Sequence, residues 1–556
     1  MKLKNFLMGM LFLAAFMTSC TKEDLLVNVT IKDDISTTTT WESGKVYVIR
    51  GSINVDNTTL TIEPGTRIEF ETGASLQIGY LGNATLIANG TADKPITFTS
   101  NATSPSAGAW NGITFWSNNL NSSLKYCSIK YGGTSTKGAI NVLGSNITFS
   151  HNIVQNALSY GITLDVNSEF IEMNNNTIEN CGNHLIEIYA GKLHTIGVDN
   201  LFNCPDGKGI NVNSDNVEGT VTWKKLSKPY YVEGEINLVN ANLTIEPGSI
   251  FKFDNNGEFN VGYTSNCTLI ANGTNTEKIV FTTSATSPTA GAWLGFFFWS
   301  NNLASSSMTN CEIAYAGKSS NSAVKLIGTS LTFSNNSVHH SGGKGLELDN
   351  SSFVAMSNNT FENNTLHAME LSATAINTIG TGNTFTCASG YGIDVNDGGI
   401  STPITWKKQT VPYYINVGID INANLTIQEG TIMKFGSNGT IDVGYINNAV
   451  LTAVGSAANP IIFTSSATTP AAGAWEGIYL WDNSDNTIFN YCEFQYAGKG
   501  SSTTRAAIKS ISSTYTVSNS KFKFSGGWGV NNDANTIFTN TNNTFESCNL
   551  GTVGSN

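Results

Sequence analysis

Charged residues are scarce in this chain. Asp, Glu, Lys and Arg make up only 13% of its 556 residues, and arginine occurs just three times. The formal net charge is −12, so acidic residues outnumber basic ones. Proteins that bind nucleic acid hold the phosphate backbone with clustered Lys and Arg. The charge balance therefore argues against a basic binding surface, and we expect no nucleic-acid partner.

Helical periodicity is almost absent as well. After residue 40 the sequence consists of short β-rich runs separated by Gly, Asn, Asp or Ser. Examples are VYVIRG at 46–51, GITFW at 112–116 and NITFS at 146–150. Strands that follow one another without crossover helices are typical of stacked parallel coils.

One stretch occurs three times and organises the rest of the chain. Its copies are LTIEPGTRIEF at 60–70, LTIEPGSIFKF at 243–253 and LTIQEGTIMKF at 425–435. Their first residues are 183 and then 182 positions apart, and tryptophans downstream keep the same offsets. A period this constant indicates a repeat architecture. The predicted copies span residues 41–222, 223–405 and a shortened 406–556.

Together these patterns predict an all-β fold, a single-stranded right-handed parallel β-helix built from three tandem copies. Asn-rich segments such as MNNNTIEN at 173–180 and MSNNTFEN at 356–363 support it. Asparagines at one corner of successive coils can form a hydrogen-bonded ladder of side-chain amides. A composition of 54 Gly and only 11 Pro agrees with an extracytoplasmic β-solenoid.

The first residues form a processing segment rather than part of the fold. Lys2 and Lys4 precede the apolar stretch at 6–17, which is too short to span a bilayer. MTSC at 17–20 resembles the lipobox of bacterial lipoproteins, in which the cysteine is diacylated and becomes the new N-terminus. We therefore predict a signal peptide at 1–19 and lipidation of Cys20. The alternative is an ordinary secretory signal with an incidental cysteine.

Residues 20–40 are predicted to be the lipidated N-terminus and a tether. TKED at 21–24 resembles the acidic export signal of surface lipoproteins in Bacteroidota-type bacteria. This resemblance implies a lipid anchor in the outer membrane with the rod at the cell surface; otherwise the rod would lie on the periplasmic face. The membrane, through the N-terminal lipid, is the first predicted partner.

The nine cysteines do not suggest disulfides. Cys127, Cys311 and Cys492 occupy one position of the three copies, a whole copy apart, so they cannot bridge one another. Strand alternation places Cys127 inward together with Ile129 and Tyr131. We expect free thiols that act as small buried hydrophobic groups.

The stretches at 60–116, 243–299 and 425–481 resemble right-handed parallel β-helix proteins of the pectin-lyase-like superfamily. That superfamily holds lyases, hydrolases, adhesins and autotransporter passengers, so it implies a fold more than an activity. The Arg-x-Lys motif of polygalacturonase-like hydrolases is absent. We predict no catalytic residues and no cofactor, although residues one coil away could complete a site.

Recurring acidic residues are candidates for paired catalytic acids or for turns. They are Asp165, Asp349 and Asp533, and Glu179, Glu362 and Glu546. An active site is usually present once per chain, so the threefold occurrence favours turns or surface positions. No HxH or HExxH spacing occurs, and the adjacent His339 and His340 would point to opposite faces of a strand. We therefore predict no metal site.

The candidate ligand-binding residues are aromatic and take the outward-facing positions of the runs GITFW, GFFFW and GIYLW. A solvent-facing tryptophan beside a second aromatic ring can stack on a sugar, using its apolar face and its N–H. Alternatively, the tryptophan packs over a coil corner. The candidates are Trp116, Phe297, Trp299, Tyr479 and Trp481. Three equivalent sites about eight coils apart would engage one long polymer together.

The sequence thus favours a surface-anchored, noncatalytic β-helix lipoprotein that binds or displays toward polysaccharide or other cell-surface partners, in the manner of an adhesin. Two alternatives remain: a polysaccharide lyase or glycoside hydrolase of pectin-lyase-like fold, and a structural spacer. A groove that gathers an Arg or Lys with two carboxylates would favour the enzyme.

The anchor yields the first testable prediction. Cys20→Ala should abolish palmitate labelling and release the protein from membranes, because the thioether-linked lipid has no other attachment point in the tether. The check is metabolic labelling followed by membrane fractionation. Unchanged labelling of the Cys20→Ala variant would contradict a lipid at this residue.

Overall fold

The computed structural model describes residues 27–555, which form one parallel β-solenoid of about 22 coils. Every pairing between described strands is parallel, and the predicted all-β fold is confirmed. Three short 3₁₀ turns are the only helical elements in this part of the chain. The predicted signal peptide and Cys20 lie outside the described residues.

The strands of the N-terminal third are short and precede the first long strand. They are β1 Val27–Ile31, β2 Thr39–Trp41, β3 Lys45–Ile49, β4 Ser52–Val55, β5 Thr58–Ile62, β6 Arg67–Phe70, β7 Ser75–Ile78, β8 Ala84–Asn89, β9 Ile96–Ser100, β10 Gly112–Phe115, β11 Ser122–Lys125, β12 Cys127–Lys130, β13 Ile140–Val142, β14 Asn146–Ser150, β15 Ile153–Gln155, β16 Ile162–Leu164, β17 Glu169–Asn174, β18 Thr177–Glu179, β19 Ile186–Tyr189, the 3₁₀ turn η1 Ala190–Thr195, and β20 Leu201–Asn203.

Two long strands open the middle third, and short strands follow them. The elements are β21 Ile210–Trp223, β22 Tyr230–Ile245, β23 Ile250–Phe253, β24 Glu258–Val261, β25 Thr268–Asn272, β26 Ile279–Thr283, β27 Gly295–Phe298, β28 Ser307–Thr309, β29 Cys311–Ala314, η2 Lys318–Ser320, β30 Val324–Ile327, β31 Ser330–Ser334, β32 Ser337–His339, β33 Leu346–Asp349, β34 Ser352–Ser357, β35 Thr360–Glu362, β36 Met369–Ser372, η3 Ala375–Thr378, β37 Thr384–Thr386 and β38 Ile393–Asp397.

The C-terminal third contains only short strands. They are β39 Gly399–Ile400, β40 Ile404–Trp406, β41 Tyr413–Ile415, β42 Gly418–Ile421, β43 Leu425–Ile427, β44 Ile432–Phe435, β45 Thr440–Val443, β46 Leu451–Val454, β47 Ile461–Ser465, β48 Gly477–Leu480, β49 Thr487–Asn490, β50 Cys492–Gln495, β51 Ala506–Ser510, β52 Thr514–Ser518, β53 Lys521–Lys523, β54 Trp528–Asn532, β55 Ile537–Thr541, β56 Thr544–Glu546 and β57 Gly551–Ser555.

The core is a continuous column of inward side chains. Trp110, Trp293 and Trp475, the tryptophans of the GAW triplets, are fully buried, and each indole N–H donates to a backbone carbonyl at 2.8 Å. Trp110 stacks on Phe70 with ring centroids 3.9 Å apart. Equivalent stacks at the other two tryptophans repeat this arrangement. The largest side chains therefore fill the coil interior where long loops leave the strands.

Buried asparagines hold one corner of successive coils. In the middle third, the backbone N–H of Asn336 donates to Oδ1 of Asn359, and that of Asn359 donates to Oδ1 of Asn383. The amide of Asn359 donates in turn to the carbonyl of Phe333 on the coil below. Each asparagine thus satisfies backbone groups that the turn would leave unpaired. The predicted ladder is present, and it joins side chains to backbone as well as to one another.

The strands stack in columns, and the columns change partners along the rod. The first column is β4, β7, β10, β13, β16, β19, β21, β22, β23, β26, β29, β32, β35 and β37. The second column is β24, β27, β30, β33, β36, β38, β41, β44, β47, β50, β53 and β56. The third column is β39, β42, β45, β48, β51, β54 and β57.

Strands of similar sequence therefore lie in different columns. The strand β7 belongs to the first column, whereas β24 and β45, which carry the matching sequence, belong to the second and third. At the first shift one long strand, β22, crosses three columns, and its successive segments pair with β23, β24 and β25. One sequence period thus winds a whole number of coils plus one further strand.

The cysteines follow the sequence prediction with two exceptions. The eight cysteines of the described chain are free, and six are buried, but Cys387 and Cys548 are only half-buried. Burial raises the pKa of Cys311 to about 12, so this thiol stays protonated. The inward placement of Tyr131 is wrong: it is half-buried at a corner with φ 64°, because the strand ends one residue before it.

The asparagine ladder yields a stability prediction. Asn359→Ala should destabilise the fold by about 1–3 kcal/mol, because it leaves the buried N–H of Asn336 and the carbonyl of Phe333 without partners. Chemical denaturation followed by circular dichroism measures the change. The control is Asn255→Ala at an exposed turn. Equal stability of the two variants would contradict a structural role for the ladder.

Candidate functional site

An exposed tyrosine and the tryptophan of the next coil form a repeated surface feature, here called an aromatic corner. The first aromatic corner is Tyr80 with Trp116, the second is Tyr263 with Trp299, and the third is Tyr445 with Trp481. Their ring centroids are 5.1, 4.9 and 5.0 Å apart, with interplanar angles of 59°, 59° and 62°. The three corners therefore present nearly the same aromatic geometry.

A glycine places each tyrosine. Gly79, Gly262 and Gly444 directly follow the strands β7, β24 and β45 with φ between 72° and 76°, a region that favours glycine. A Cβ on Gly262 would lie 2.2 Å from the backbone nitrogen of Asn302, so the neighbouring coil leaves no room for one. The chain therefore turns sharply before Tyr263 and directs this residue into solvent.

Each tryptophan is anchored by its N–H to the coil below. The indole Nε1 of Trp116 donates to Oε1 of Gln77 at 2.7 Å, and Trp299 and Trp481 donate to equivalent side chains, Asn260 and Asp442. The expectation that this N–H would serve a ligand is therefore wrong. The anchor instead fixes the tilt of a half-buried ring. The tryptophan packs over the corner and also forms one wall of an open aromatic surface.

The remaining candidates lie beside the tryptophans. Phe297 stacks on Trp299 and Tyr479 on Trp481, with centroids 6.3 and 6.4 Å apart. In the first corner the corresponding residue is Thr114, which is buried, and the ammonium of Lys137 lies 5.7 Å from the ring centroid of Trp116. The structure thus brings all five predicted aromatic residues to the corners.

The three tyrosines were missed by sequence reasoning, although they are the most exposed rings of the corners. Tyr80, Tyr263 and Tyr445 are 49%, 61% and 58% exposed. A signal was available, because a Gly-Tyr pair follows the strand at the same offset in each copy. Alternation assigns a strand residue to one face, but it carries no information about a residue that lies beyond a left-handed turn.

The aromatic corners do not lie in line along the rod. Trp116 follows β10 in the first column, Trp299 follows β27 in the second, and Trp481 follows β48 in the third. One additional strand in each sequence period moves each corner to the next column, so the predicted engagement of one long polymer would require a chain that passes between columns.

A second candidate feature, here called the ionic cluster, lies on the second column. Register places Lys325, Glu347, Glu370 and Asp394 side by side on successive coils. Lys344 forms ion pairs with Glu347 at 3.3 Å and with Glu370, and Lys325 pairs with Glu347 at 2.7 Å. On the first column, Asn141, Thr163 and Asn211 take the positions of Lys325, Glu347 and Asp394, so the cluster is not repeated there.

Within the ionic cluster, the pKa values of two carboxyl groups are shifted in opposite directions. Burial, followed by the charge of Glu370, raises the pKa of Asp394 to about 6, and protonated Asp394 donates a hydrogen bond to Glu370. Burial also opposes ionisation of Glu347, but hydrogen bonds from Lys325 and Ser322 outweigh it and hold its pKa below the ordinary value. Asp394 is thus a carboxyl group that can hold a proton near neutral pH.

A cavity of about 930 Å³ borders the ionic cluster at η3. Its lining in the described chain includes Asp349 and Asp397 but no Lys or Arg. Asn396 also lines it and donates to Oε1 of Glu370 at 3.0 Å, which connects the cavity to the cluster. Lysine and carboxylates therefore lie beside the cavity rather than within its lining.

The recurring aspartates have two different roles. Asp165 accepts from Gly144 N–H and Ser168 Oγ, and Asp533 accepts from Ser512 N–H and neighbouring groups, so both hold turns. Asp349 lines the cavity instead. The connection from Asp349 to the next strand is one residue shorter than the connection from Asp165 to its next strand. The turn interpretation is therefore correct for the first and third aspartates.

The adjacent histidines do not point to opposite faces. His340 has φ 56°, which turns it back toward His339, and their Nδ1 atoms are 2.8 Å apart. His339 Nε2 lies 3.4 Å from a carboxylate oxygen of Glu312. Within residues 27–555, no three His, Cys, Asp or Glu side chains are grouped so that they could hold a metal ion.

Family models match most of the rod. Residues 33–181 and 398–516 match the pectate-lyase-like β-helix domain, and residues 243–405 match the right-handed β-helix region. The chain is a right-handed parallel β-helix protein. No curated protein matches it. Within the described part of this β-helix protein, no helix is both long and apolar enough to cross a bilayer. These comparisons establish the fold but not the activity, which has to be inferred from the geometry of the surface.

The ionic cluster yields a pH prediction. Because the pKa of Asp394 is raised from 3.8 to about 6 on folding, its contribution to stability is complete below pH ~4 and is lost as pH rises through ~6. Asp394→Asn replaces the titratable carboxyl group with a neutral amide of similar shape that can also form hydrogen bonds. The parent should therefore lose thermal stability relative to this variant as pH rises from about 4 to 7.

Melting temperatures across that pH interval provide the measurement. Asp206→Asn, at an exposed position, serves as the control. Parallel pH profiles for the parent and Asp394→Asn would show that Asp394 ionises normally and would contradict the described coupling to Glu370.

Proposed function

We propose that this protein is a noncatalytic carbohydrate-binding or display lipoprotein, anchored by lipid at Cys20 and presenting its rod to polysaccharide at the bacterial surface. The observation that carries the proposal is the aromatic corner. The same exposed tyrosine, anchored tryptophan and turn glycine occur three times on one chain. A buried core requires no such exposed ring.

The geometry of a corner suits the apolar face of a sugar ring. Each exposed tyrosine, packed against a tryptophan inclined to it by about 60°, offers an apolar ring face for stacking, and its hydroxyl adds a polar group. The tryptophan is held by its hydrogen bond before any ligand arrives, so little side-chain freedom is lost on binding. Because each corner offers few contacts, single-site affinity should be weak.

Charge favours neutral polysaccharides over acidic ones. The chain carries a net charge of −12, and Asp442 and Asn260 rather than basic groups support the third and second corners. Lys137 at the first corner is the exception. Long-range repulsion would therefore oppose uronate-rich polymers, whereas neutral chains would feel none.

A second candidate function is polysaccharide cleavage at the ionic cluster. Lys344 lies between two glutamates, Asp394 can hold a proton near neutral pH, and the cavity adjoins them. Acid–base cleavage of a glycosidic bond uses such groups. Against it, both lysines are already neutralised by ion pairs, and Asp394 is hydrogen-bonded to Glu370, closer than the spacing of about 5–10 Å that hydrolytic carboxyl pairs use.

The binding prediction uses the exposed tyrosines. Joint substitution Tyr80→Ala, Tyr263→Ala and Tyr445→Ala should reduce retention of residues 21–556 on xyloglucan, galactomannan or mixed-linkage β-glucan by at least about tenfold, because stacking area is lost at every corner. Affinity electrophoresis in gels containing each polymer measures retention. Exposed side chains carry little fold stability, so the variant should melt like the parent.

The matched control is the joint change Ile171→Ala, Val354→Ala and Ile537→Ala, which removes three exposed apolar side chains away from the corners. Equal retention of parent and tyrosine variant would refute the binding role. The same polymers are assayed for reducing ends, and pectin, as a uronate-rich substrate, is assayed for unsaturated products as well. Turnover that disappears in Glu370→Gln or Lys344→Met would replace the binding proposal with the enzymatic one.

A further inference from the structure

The arrangement of the aromatic corners determines how many polymer chains one molecule can hold. Each corner lies at the end of a strand in a different column of the rod. Strands of one column form one sheet, and the coil interior separates the sheets from one another. The exposed tyrosines of the three corners therefore open onto three different sheets.

The cause is the length of the sequence period. The first column passes from β19 through β21 and β22 into β23. The sheet that carries Trp116 therefore continues in the second copy through β23, and not through β24, which matches β7 in sequence. The same step recurs when the second column passes from β38 through β41 into β44. Each period thus adds one strand to a whole number of coils and advances the corner by one sheet.

A straight polymer that lies along the rod contacts one sheet, and hence one corner. To reach a second corner, the same chain would have to wind around the rod across the long loops between strands. We infer that the protein cross-links separate polysaccharide chains, each corner holding a different one. This inference rests on the proposed function, and it identifies the partner as a network of many chains rather than a single extended chain.

Two physical consequences follow. Cross-linking requires at least two intact corners on a molecule, whereas binding requires only one. Corners that hold separate chains gain no chelate advantage on an isolated chain, since multivalent enhancement needs simultaneous engagement of one ligand. Three independent corners then raise apparent affinity about threefold over one corner, whereas linked engagement of one chain would raise it 10²-fold or more.

The test compares the parent with variants that keep two corners or one. Tyr263→Ala leaves the first and third corners, and Tyr263→Ala with Tyr445→Ala leaves only the first. Each protein is mixed with high-molecular-weight xyloglucan, galactomannan or mixed-linkage β-glucan, and low-shear viscosity and light scattering are recorded. Affinity for single chains, immobilised sparsely on a sensor surface, is measured for the same proteins.

The parent and the two-corner variant should increase viscosity with a polymer that they bind, and excess protein should reverse the increase by saturating chains singly. The one-corner variant should bind without raising viscosity, and its affinity for sparse chains should lie within about threefold of the parent. If the parent binds sparse chains with 10²-fold higher affinity than the one-corner variant and viscosity does not rise, the cross-linking inference is contradicted but the proposed function is not. Absence of binding to every polymer would contradict the proposed function as well.

Discussion

Backbone hydrogen bonding between coils is the interaction on which this structure depends. Most strands pair in parallel with a strand of the preceding coil and a strand of the following one, so a coil is stabilised by both of its neighbours. This condition fixes the register of every inward side chain. It also confines sequence freedom to outward positions and to turns. Function in such a rod is therefore determined by what the corners and outer faces carry.

Periodicity and alternation were sufficient to predict the fold. The inward positions of Phe115, Phe298 and Leu480 follow from the two-residue period of a strand, and all three are buried. The asparagine ladder followed from the Asn-rich segments. These features are local in sequence, because stacked coils repeat the same short-range chemistry. Boundaries of the three copies stay a sequence prediction, since coils continue across them without interruption.

Features that depend on the number of coils in a period could not be predicted. A period of 182–183 residues does not show whether equivalent strands share a column, because coil length varies with loop length. The ionic cluster was missed for a similar reason: Lys325, Glu347, Glu370 and Asp394 are more than 20 residues apart and meet only through strand register. Tyr80 and Tyr131 were missed or misplaced because a left-handed turn ends the alternation.

The central claim is that carbohydrate binds at the aromatic corners and not at the cavity beside the ionic cluster. An experimental structure of residues 21–556 with a xyloglucan oligosaccharide tests this most directly. The account predicts sugar rings against the exposed faces of Tyr80, Tyr263 and Tyr445, with each tryptophan still hydrogen-bonded to the coil below. An oligosaccharide bound in the cavity at Asp349 and Asn396, with all three corners empty, would contradict it.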